Sequence, residues 1–105
     1  MLIYNTTFHV DDEVRDSFLE HMTQRYIPAV AADRLVFAPC FARIHSQHEE
    51  QGASYSLQLK LKNTVTLKCW LETVGKQLQL ELAAKFGDKV AGFATLLEEI
   101  EWNKK

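Results

Sequence analysis

The amino-acid sequence predicts an α+β sandwich, in which two helices back one face of a four-stranded antiparallel sheet. Three observations lead to this prediction. Short segments rich in β-branched and aromatic residues alternate between apolar and polar positions, which is typical of half-buried strands. Two longer segments repeat apolar residues every three or four positions, which is typical of helices that pack on a core. The order along the chain is strand, helix, strand, strand, helix, strand.

The first strand and the first helix occupy the N-terminal third of the chain. Residues 2–10, LIYNTTFHV, alternate in the way that predicts a strand. Pro28 lacks a backbone N–H and its ring crowds the preceding turn, so we expect the helix to kink or restart at Ile27 or Pro28. The helix itself is predicted in DDEVRDSFLEHMTQRY, where acidic residues suit the N-terminus and apolar residues recur at steps of four: Val14, Phe18, Met22 and Tyr26.

Two strands follow and are predicted to form a hairpin. The first covers residues 36–46, VFAPCFARIHS, and Pro39 places it at a sheet edge or beside a bulge because proline cannot donate to the ladder. The polar, glycine-containing stretch QHEEQGA is typical of a turn. The second strand, ASYSLQLKLK at residues 53–62, alternates without interruption, so we expect Tyr55 and Leu57 to point inward.

A second helix and a final strand complete the fold. Asn63 is expected to cap one continuous helix, and Gly87 suits the left-handed position after its end. Residues 89–102 predict the last strand, before a charged tail at 103–105. Right-handed connections between the two strand–helix–strand halves give a ferredoxin-like βαββαβ fold in a single domain of residues 1–105. The apolar stripe of the helix is Leu67, Leu71, Val74, Leu78, Leu82 and Phe86.

Composition excludes several classes of partner. The 105 residues are 47% hydrophobic and 25% charged, as in ordinary globular domains. A net charge of −2 opposes binding to nucleic acid or to an anionic membrane surface. The chain has no secretory leader pattern and no apolar run near the ~18 residues that a membrane span needs, so we expect a cytoplasmic protein. Cys40 and Cys69 are expected to be buried, reduced thiols.

One face of the predicted sheet has no helices to cover it. An uncovered face with both aromatic and polar residues indicates that something packs on it, and a second copy of the chain is the simplest cover. We therefore expect a homodimer whose interface includes Phe37, Phe41, Phe93 and Leu97. The polar residues expected on the same face are Asn5, Thr7, His9, Arg43, Ser54, Ser56, Gln58 and Thr95.

Several segments, LIYNTTFHVDD, YIPAV, YSLQ and above all KFGDKVAGFATLLEEIE, together resemble a small bacterial family known as domain of unknown function 4286. This family is similar to the dimeric α+β barrel superfamily, so the resemblance implies a ferredoxin-like fold and a dimeric α+β barrel. The superfamily includes heme-degrading and quinol-oxidising monooxygenases, chlorite-dismutase-like proteins and stress-response domains. Family members usually carry a histidine before the Ile-Pro pair, whereas this chain has Tyr26 there.

Two functional alternatives to a purely structural dimer follow from the residues. One is a small-molecule enzyme, such as a cofactor-independent monooxygenase or isomerase, with a pocket between sheet and helices. The other is a binding module for an anionic ligand held by Arg43, which could instead pair with Glu99 or Glu101 of a second subunit. The residues expected to line such a pocket are Asn5, His9, His21, Arg25, Tyr26, Arg43, Ser56 and Gln58.

These candidates have different expected roles. His9 could accept a proton or hydrogen-bond across a dimer interface. His21 and Arg25 lie one helical turn apart and could flank a cavity, although a solvated helix flank is the simpler interpretation. Tyr26 continues the core stripe of the first helix, which leaves open whether its hydroxyl reaches a cavity.

The segment HSQHEE contains residue types that bind metals. His45 and His48 are followed by Glu49 and Glu50, but no third ligand is fixed nearby, and nothing orients the imidazoles. We therefore expect an exposed polar hairpin, with no metal and no cofactor.

Overall fold

The computed structural model describes residues 1–45 and 51–103 and contains one four-stranded antiparallel sheet with helices on one face. The sheet order is β2-β3-β1-β4, so the N-terminal strand lies in the middle and the second and fourth strands form the edges. This arrangement confirms the predicted ferredoxin-like βαββαβ fold. The strands are β1 Leu2–Val10, β2 Phe37–Ile44, β3 Ala53–Leu61 and β4 Val90–Glu98.

The helical layer consists of two groups of segments, one between β1 and β2 and the other between β3 and β4. The first group is a 3₁₀ turn at Asp12–Val14, α1 at Arg15–His21, a π-helix at Met22–Tyr26 and α2 at Ile27–Ala31. The second group is α3 at Thr64–Glu72, α4 at Val74–Phe86 and a 3₁₀ turn at Gly87–Lys89.

The core lies between the sheet and this helical layer. On β3, every second residue from Ala53 to Leu61 is at most 5% exposed, which confirms the alternation read from the sequence. Phe18 of α1 is fully buried at the centre of an aromatic cluster, with ring centroids 5.4 Å from Phe8 and 5.6 Å from Tyr55. The predicted inward stripe of the first helix is confirmed by the burial of Phe18, Met22 and Tyr26.

The π-helix explains how the chain stays helical through Pro28. The α-helical pattern restarts at Ile27, where the sequence predicted a change. Ile27 donates its backbone N–H to the carbonyl of Met22, five residues earlier, and this wider turn precedes the residue that has no N–H to donate. The chain therefore accommodates Pro28 by changing locally from an α-helix to a π-helix just before it.

The helix predicted from Leu67 to Phe86 is wrong in one respect, because it is two helices that meet at Thr73. Thr73 has φ −116° and ψ −99°, and its hydroxyl donates to the carbonyl of Cys69 at 2.7 Å. At Gly75 a Cβ atom would lie only 2.8 Å from the buried ring of Trp70, so glycine allows this indole to pack against α4. Both ends follow the prediction, since Asn63 accepts from the N–H of Thr66 and Gly87 has φ +57°.

A bulge in β2 changes which residues share a face. The pairing with β3 shifts between Phe37 and Cys40, and Ala38 has a positive φ of 48° beside Pro39. Phe37 lies opposite Lys60 on the open face, but Phe41 and Arg43 lie opposite Leu57 and Tyr55 on the helix side. The placement of Phe41 and Arg43 on the open face is therefore wrong: the extra residue in the bulge reverses the alternation.

Two other predictions need correction. The last strand ends at Glu98 and not at residue 102, and Trp102 beyond it is 88% exposed. The cysteines are not buried: Cys40 and Cys69 are both exposed and free. Cys40 is exposed because it lies on an edge strand facing away from the helices, opposite Gln58. Cys69 is exposed because the buried side of α3 is formed by Leu67 and Trp70.

Candidate functional site

A cleft of about 290 Å³ opens between the helix-facing side of β1 and β4 and the C-terminal half of α4. Two buried aromatic rings from different elements, Phe8 of β1 and Tyr26 of the π-helix, line this cleft, which makes it our candidate site. Phe8 and Tyr26 are each 3% exposed, and their ring centroids lie 6.2 Å apart at an interplanar angle of 82°. The lining residues are Tyr4, Thr6, Phe8, Tyr26, Gln79, Leu82, Ala83, Gly87, Val90, Gly92, Phe93 and Ala94.

Small residues create the space. Gly92 lies opposite Phe8 in the β1–β4 pairing, and a Cβ atom on it would come within 3.4 Å of the Phe8 ring. Ala94 follows on the same face of β4, and Ala83 lines the cleft from α4. Because β4 is an edge strand with small side chains here, the space between sheet and helix is not filled.

Tyr26 is one of the residues that line this cleft. Burial, together with the smaller effect of the nearby Tyr4 hydroxyl, raises the pKa of the Tyr26 hydroxyl to about 12. Burial also raises the pKa of Tyr4, against the opposing effect of hydrogen bonding to Gln79 and Thr6. Both phenols therefore stay protonated at neutral pH, when they can donate or accept hydrogen bonds but cannot act as phenolate bases.

The remaining candidate residues do not line this cleft, and four of them lie on the open face of the sheet. Asn5 accepts a hydrogen bond from the Ser56 hydroxyl and donates to Thr7 Oγ1 at 3.2 Å. Gln58 is exposed opposite Asn5. His9 Nδ1 lies 3.2 Å from Ser54 Oγ, at the end of the sheet, where it borders a polar depression of about 400 Å³.

His21 and Arg25 lie between the two helical groups. His21 is only 8% exposed, so the prediction of a solvated helix flank is wrong for this residue. Its ring packs edge-on against Phe86, with centroids 5.9 Å apart, and its Nε2 atom has no hydrogen-bond partner within the described part of the protein. Arg25 binds Glu81 of α4 through two hydrogen bonds of 2.9 and 2.7 Å, which ties the π-helix to α4.

Burial and the surrounding charges shift the pKa values of His21 and Glu81 at this helix contact. Burial lowers the pKa of His21, and the positive charges of Lys85 and Arg25 lower it further, while Glu81 opposes them. Hydrogen bonding to Arg25 lowers the pKa of Glu81. His21 is therefore neutral at pH 7 and contributes packing and not charge.

Arg43 and His45, which the sequence offered for anion and metal binding, lie at the C-terminal end of β2 or just after it. Arg43 is exposed on the helix side of the sheet, opposite Tyr55 and apart from the cleft, and its role in anion binding stays a prediction. His45 is exposed, whereas His48, Glu49 and Glu50 lie outside the described residues. Over residues 1–45 and 51–103, no three histidine, cysteine or acidic side chains cluster as metal ligands.

Sequence reasoning missed most of the cleft. Tyr4 and Thr6 alternate with Asn5 and Thr7, which indicates the inward face of β1, but nothing in the sequence distinguishes a cavity wall from ordinary core. Gln79 follows the buried Leu78, and a polar residue beside a helix stripe carries little information. The usable signal was Gly92 and Ala94 on alternate positions of a predicted strand, since small residues there leave a gap.

The open face carries a second set of features, a polar centre with large apolar side chains around it. Phe93 is 64% exposed, Phe37 47% and Leu97 41%. Phe93 and Leu97 lie opposite Thr7 and Ile3 of β1, so they share the open face with the Asn5–Ser56 hydrogen bond. We call Phe37, Phe93 and Leu97 the apolar rim of the open face.

No helix within the described ranges is both long and apolar enough to cross a membrane.

Comparisons with solved structures identify the same fold in proteins of low sequence identity. An ethyl tert-butyl ether d (EthD) family protein from Bacillus halodurans is 18% identical with a TM-score of 0.71, over 95% of this chain and 100% of that one. An antibiotic biosynthesis monooxygenase is 14% identical with a TM-score of 0.67, over 96% and 100%. A dimeric ferredoxin-like protein from an uncultured marine organism is 10% identical with a TM-score of 0.62, over 94% and 97%.

The sequence comparisons agree with the resemblance noted above. No curated protein sequence matches the chain. Residues 1–100 match the model of the family described as "Domain of unknown function (DUF4286)", which spans nearly the whole chain. The chain therefore belongs to the DUF4286 family, with a ferredoxin-like fold similar to that of the antibiotic biosynthesis monooxygenase.

Proposed function

We propose that the protein functions as a homodimer in which the open faces of two sheets pack together. The observation that carries this proposal is the apolar rim of Phe37, Phe93 and Leu97, which is 41–64% exposed in the single chain. Large apolar side chains grouped on one face of a sheet are costly to leave in water. A second copy supplies a matching apolar rim, because a twofold axis brings the same surface from both chains together.

The polar centre of the open face is compatible with this packing. Within one chain, Asn5 already hydrogen-bonds to both Ser56 and Thr7. A second chain that covers these side chains therefore removes water from groups that already have hydrogen-bond partners. The similar fold of a structure described as a dimeric ferredoxin-like protein supports the proposal.

Sedimentation velocity at micromolar concentration tests the dimer. The wild type should sediment as twice the 12.1 kDa chain, and Phe93→Asp should shift it toward the monomer because a carboxylate would be buried at the interface. Val65→Asp is the matched control, since Val65 is 76% exposed on α3, on the other side of the molecule. A monomeric wild type would refute the proposal.

A second candidate function, small-molecule binding in the cleft, is favoured by the cleft itself. Its volume of about 290 Å³, its buried aromatic walls and its few polar groups are typical of ligand sites. The fold is shared with proteins named as monooxygenases, so a cofactor-independent monooxygenase or isomerase is the enzyme class that we propose for this site. The two functions are compatible, because the cleft lies on the helix side of the sheet and the apolar rim on the other side, and Phe93 is the one member of the rim that also borders the cleft.

Native mass spectrometry of the protein purified from its own host tests this second function. We expect a small molecule to accompany the wild type and to be absent from Ala83→Trp, in which an indole fills the cleft from α4. Ala84→Trp is the control, because Ala84 is the next residue on α4, is exposed and lies outside the lining. An identical adduct on both variants would show that the molecule binds elsewhere.

We further propose that the protein works in the cytoplasm. This proposal is supported by its two cysteines, which are free and exposed, as is usual in a reducing compartment.

A further inference from the structure

We propose that the cleft takes an uncharged, flat aromatic molecule that carries one hydroxyl or carbonyl group. This inference rests on the second function proposed above, that the cleft binds a small molecule. It is carried by three properties of the lining: the charges that it lacks, the shape of its walls and the placement of its polar atoms.

The first property is the absence of charged side chains among the described residues that line the cleft. None of the described residues that line the cleft is acidic, basic or a histidine. Of the charged residues on neighbouring elements, Arg25 is paired with Glu81 and Lys89 with Glu13, both on the surface. A charged group would therefore lose its hydration in the cleft without gaining a counter-ion.

The walls favour a flat ligand. Phe8 and Tyr26 present two aromatic rings nearly perpendicular to each other, and an aromatic guest packs well against such edges and faces. Beside Phe8 on the same face of the sheet, Gly92 and Ala94 of β4 carry little side chain, so a guest can approach the backbone of this strand.

The polar atoms match a single neutral group. Tyr4, Tyr26 and Gln79 are among the lining residues, and their hydroxyl and amide groups can both donate and accept. Tyr4 already hydrogen-bonds to Gln79 and Thr6. Because burial raises the pKa of Tyr26 to about 12, its hydroxyl keeps its proton and can donate to a carbonyl or hydroxyl oxygen. Such a group fixes the orientation of the ligand in an otherwise apolar site.

Equilibrium dialysis with two probes of nearly equal size tests the inference. The probes are 2-naphthol, which is neutral at neutral pH, and 2-naphthoate, which is an anion there. We expect the full-length wild type to bind 2-naphthol at least about tenfold more tightly than 2-naphthoate. We expect Tyr26→Phe and Gln79→Leu each to weaken 2-naphthol binding about fivefold, because each removes a hydrogen-bonding group.

A pair of variants places the binding site. Ala83→Trp should abolish 2-naphthol binding by filling the cleft, and Ala84→Trp should leave it unchanged. Should Ala83→Trp fail to fold, Tyr26→Phe and Gln79→Leu carry the same test with smaller changes.

The outcomes separate this inference from the function on which it rests. Equal or tighter binding of 2-naphthoate, still sensitive to Ala83→Trp, would overturn the uncharged ligand and leave a small-molecule site in place. If neither probe binds, the small-molecule site itself would be overturned as well. The same would follow if both probes bind and none of the cleft variants changes their binding.

Discussion

At the scale of single residues, Phe41 and Phe93 show how position decides the role of a side chain. Both are on edge strands, but Phe41 stacks on Tyr55 at 5.7 Å and packs against the core, whereas Phe93 is 64% exposed on the open face. We expect Phe41→Ala to lower the free energy of unfolding by about 2 kcal/mol through lost packing. Urea unfolding at matched protein concentration measures this change.

Phe93→Ala is the partner experiment. It should change the sedimentation behaviour and leave the unfolding of the isolated chain nearly unaffected, because Phe93 contributes little to the core of one chain. If Phe93→Ala destabilised the single chain as much as Phe41→Ala, the assignment of Phe41 to the core and Phe93 to the open face would be wrong.

His21 makes a separate prediction about pH. Its pKa in the folded protein is lowered from 6.5 by burial first, then by Lys85 and Arg25, with Glu81 opposing. The unfolded chain therefore binds a proton more readily than the folded one as the pH falls below 6.5. The stability linked to this neutral histidine is fully present above the unfolded pKa and is lost as the pH falls through the folded value.

Urea unfolding at about pH 7.5 and about pH 5.5 measures this loss, above the range in which carboxylates take up protons. We expect His21→Phe to remove part of the pH dependence, since phenylalanine fills the site beside Phe86 without titrating. An unchanged pH profile in His21→Phe would show that another group is responsible.

At the scale of elements, the contact of Gly75 with Trp70 joins α3 to α4. In an ordinary exposed helix, replacing glycine by alanine stabilises by about 1 kcal/mol. Here the added Cβ atom would lie 2.8 Å from the indole, so we expect Gly75→Ala to destabilise by about 1–3 kcal/mol. Thermal or urea unfolding measures whether Gly75→Ala stabilises or destabilises the protein. Lys76→Ala, one residue along on the exposed side, should stay within about 0.5 kcal/mol of the wild type.

The elements also show which sequence patterns are informative. The alternation of β3 was read correctly because its two faces meet different surroundings along its whole length. β2 was read wrongly after Phe37 because a bulge adds one residue, and neither the positive φ of Ala38 nor its position can be read from alternation. The break at Thr73 was missed because the apolar stripe continues across it and carries no sign of the non-helical backbone angles at Thr73.

At the scale of the whole molecule, the sheet separates two surfaces with different properties. On one side, the helices cover the core and leave the cleft beside β4. On the other, the polar centre and the apolar rim face solvent in the single chain.

Of these surfaces, the open face could be anticipated from the sequence and the cleft could not. The open face follows from the order of strands and helices, together with the alternation of β1, β3 and β4. The cleft depends on Ala83 and Gly92 coming together across the fold, and on Tyr26 being turned toward them. Local patterns placed Tyr26 in the core correctly but contain no information on whether core packing is complete around it.

The two native cysteines allow the most direct test of the central proposal, that the open faces pair. Cys40 lies opposite Gln58 on the open face, and Cys69 is exposed on α3 on the other side. Alkylation followed by mass spectrometry gives the rate at each thiol, and Phe93→Asp provides the reference for the undocked chain. We expect Cys40, relative to Cys69, to react about tenfold more slowly in the wild type than in Phe93→Asp. Equal relative rates in the two proteins would contradict the pairing of the open faces.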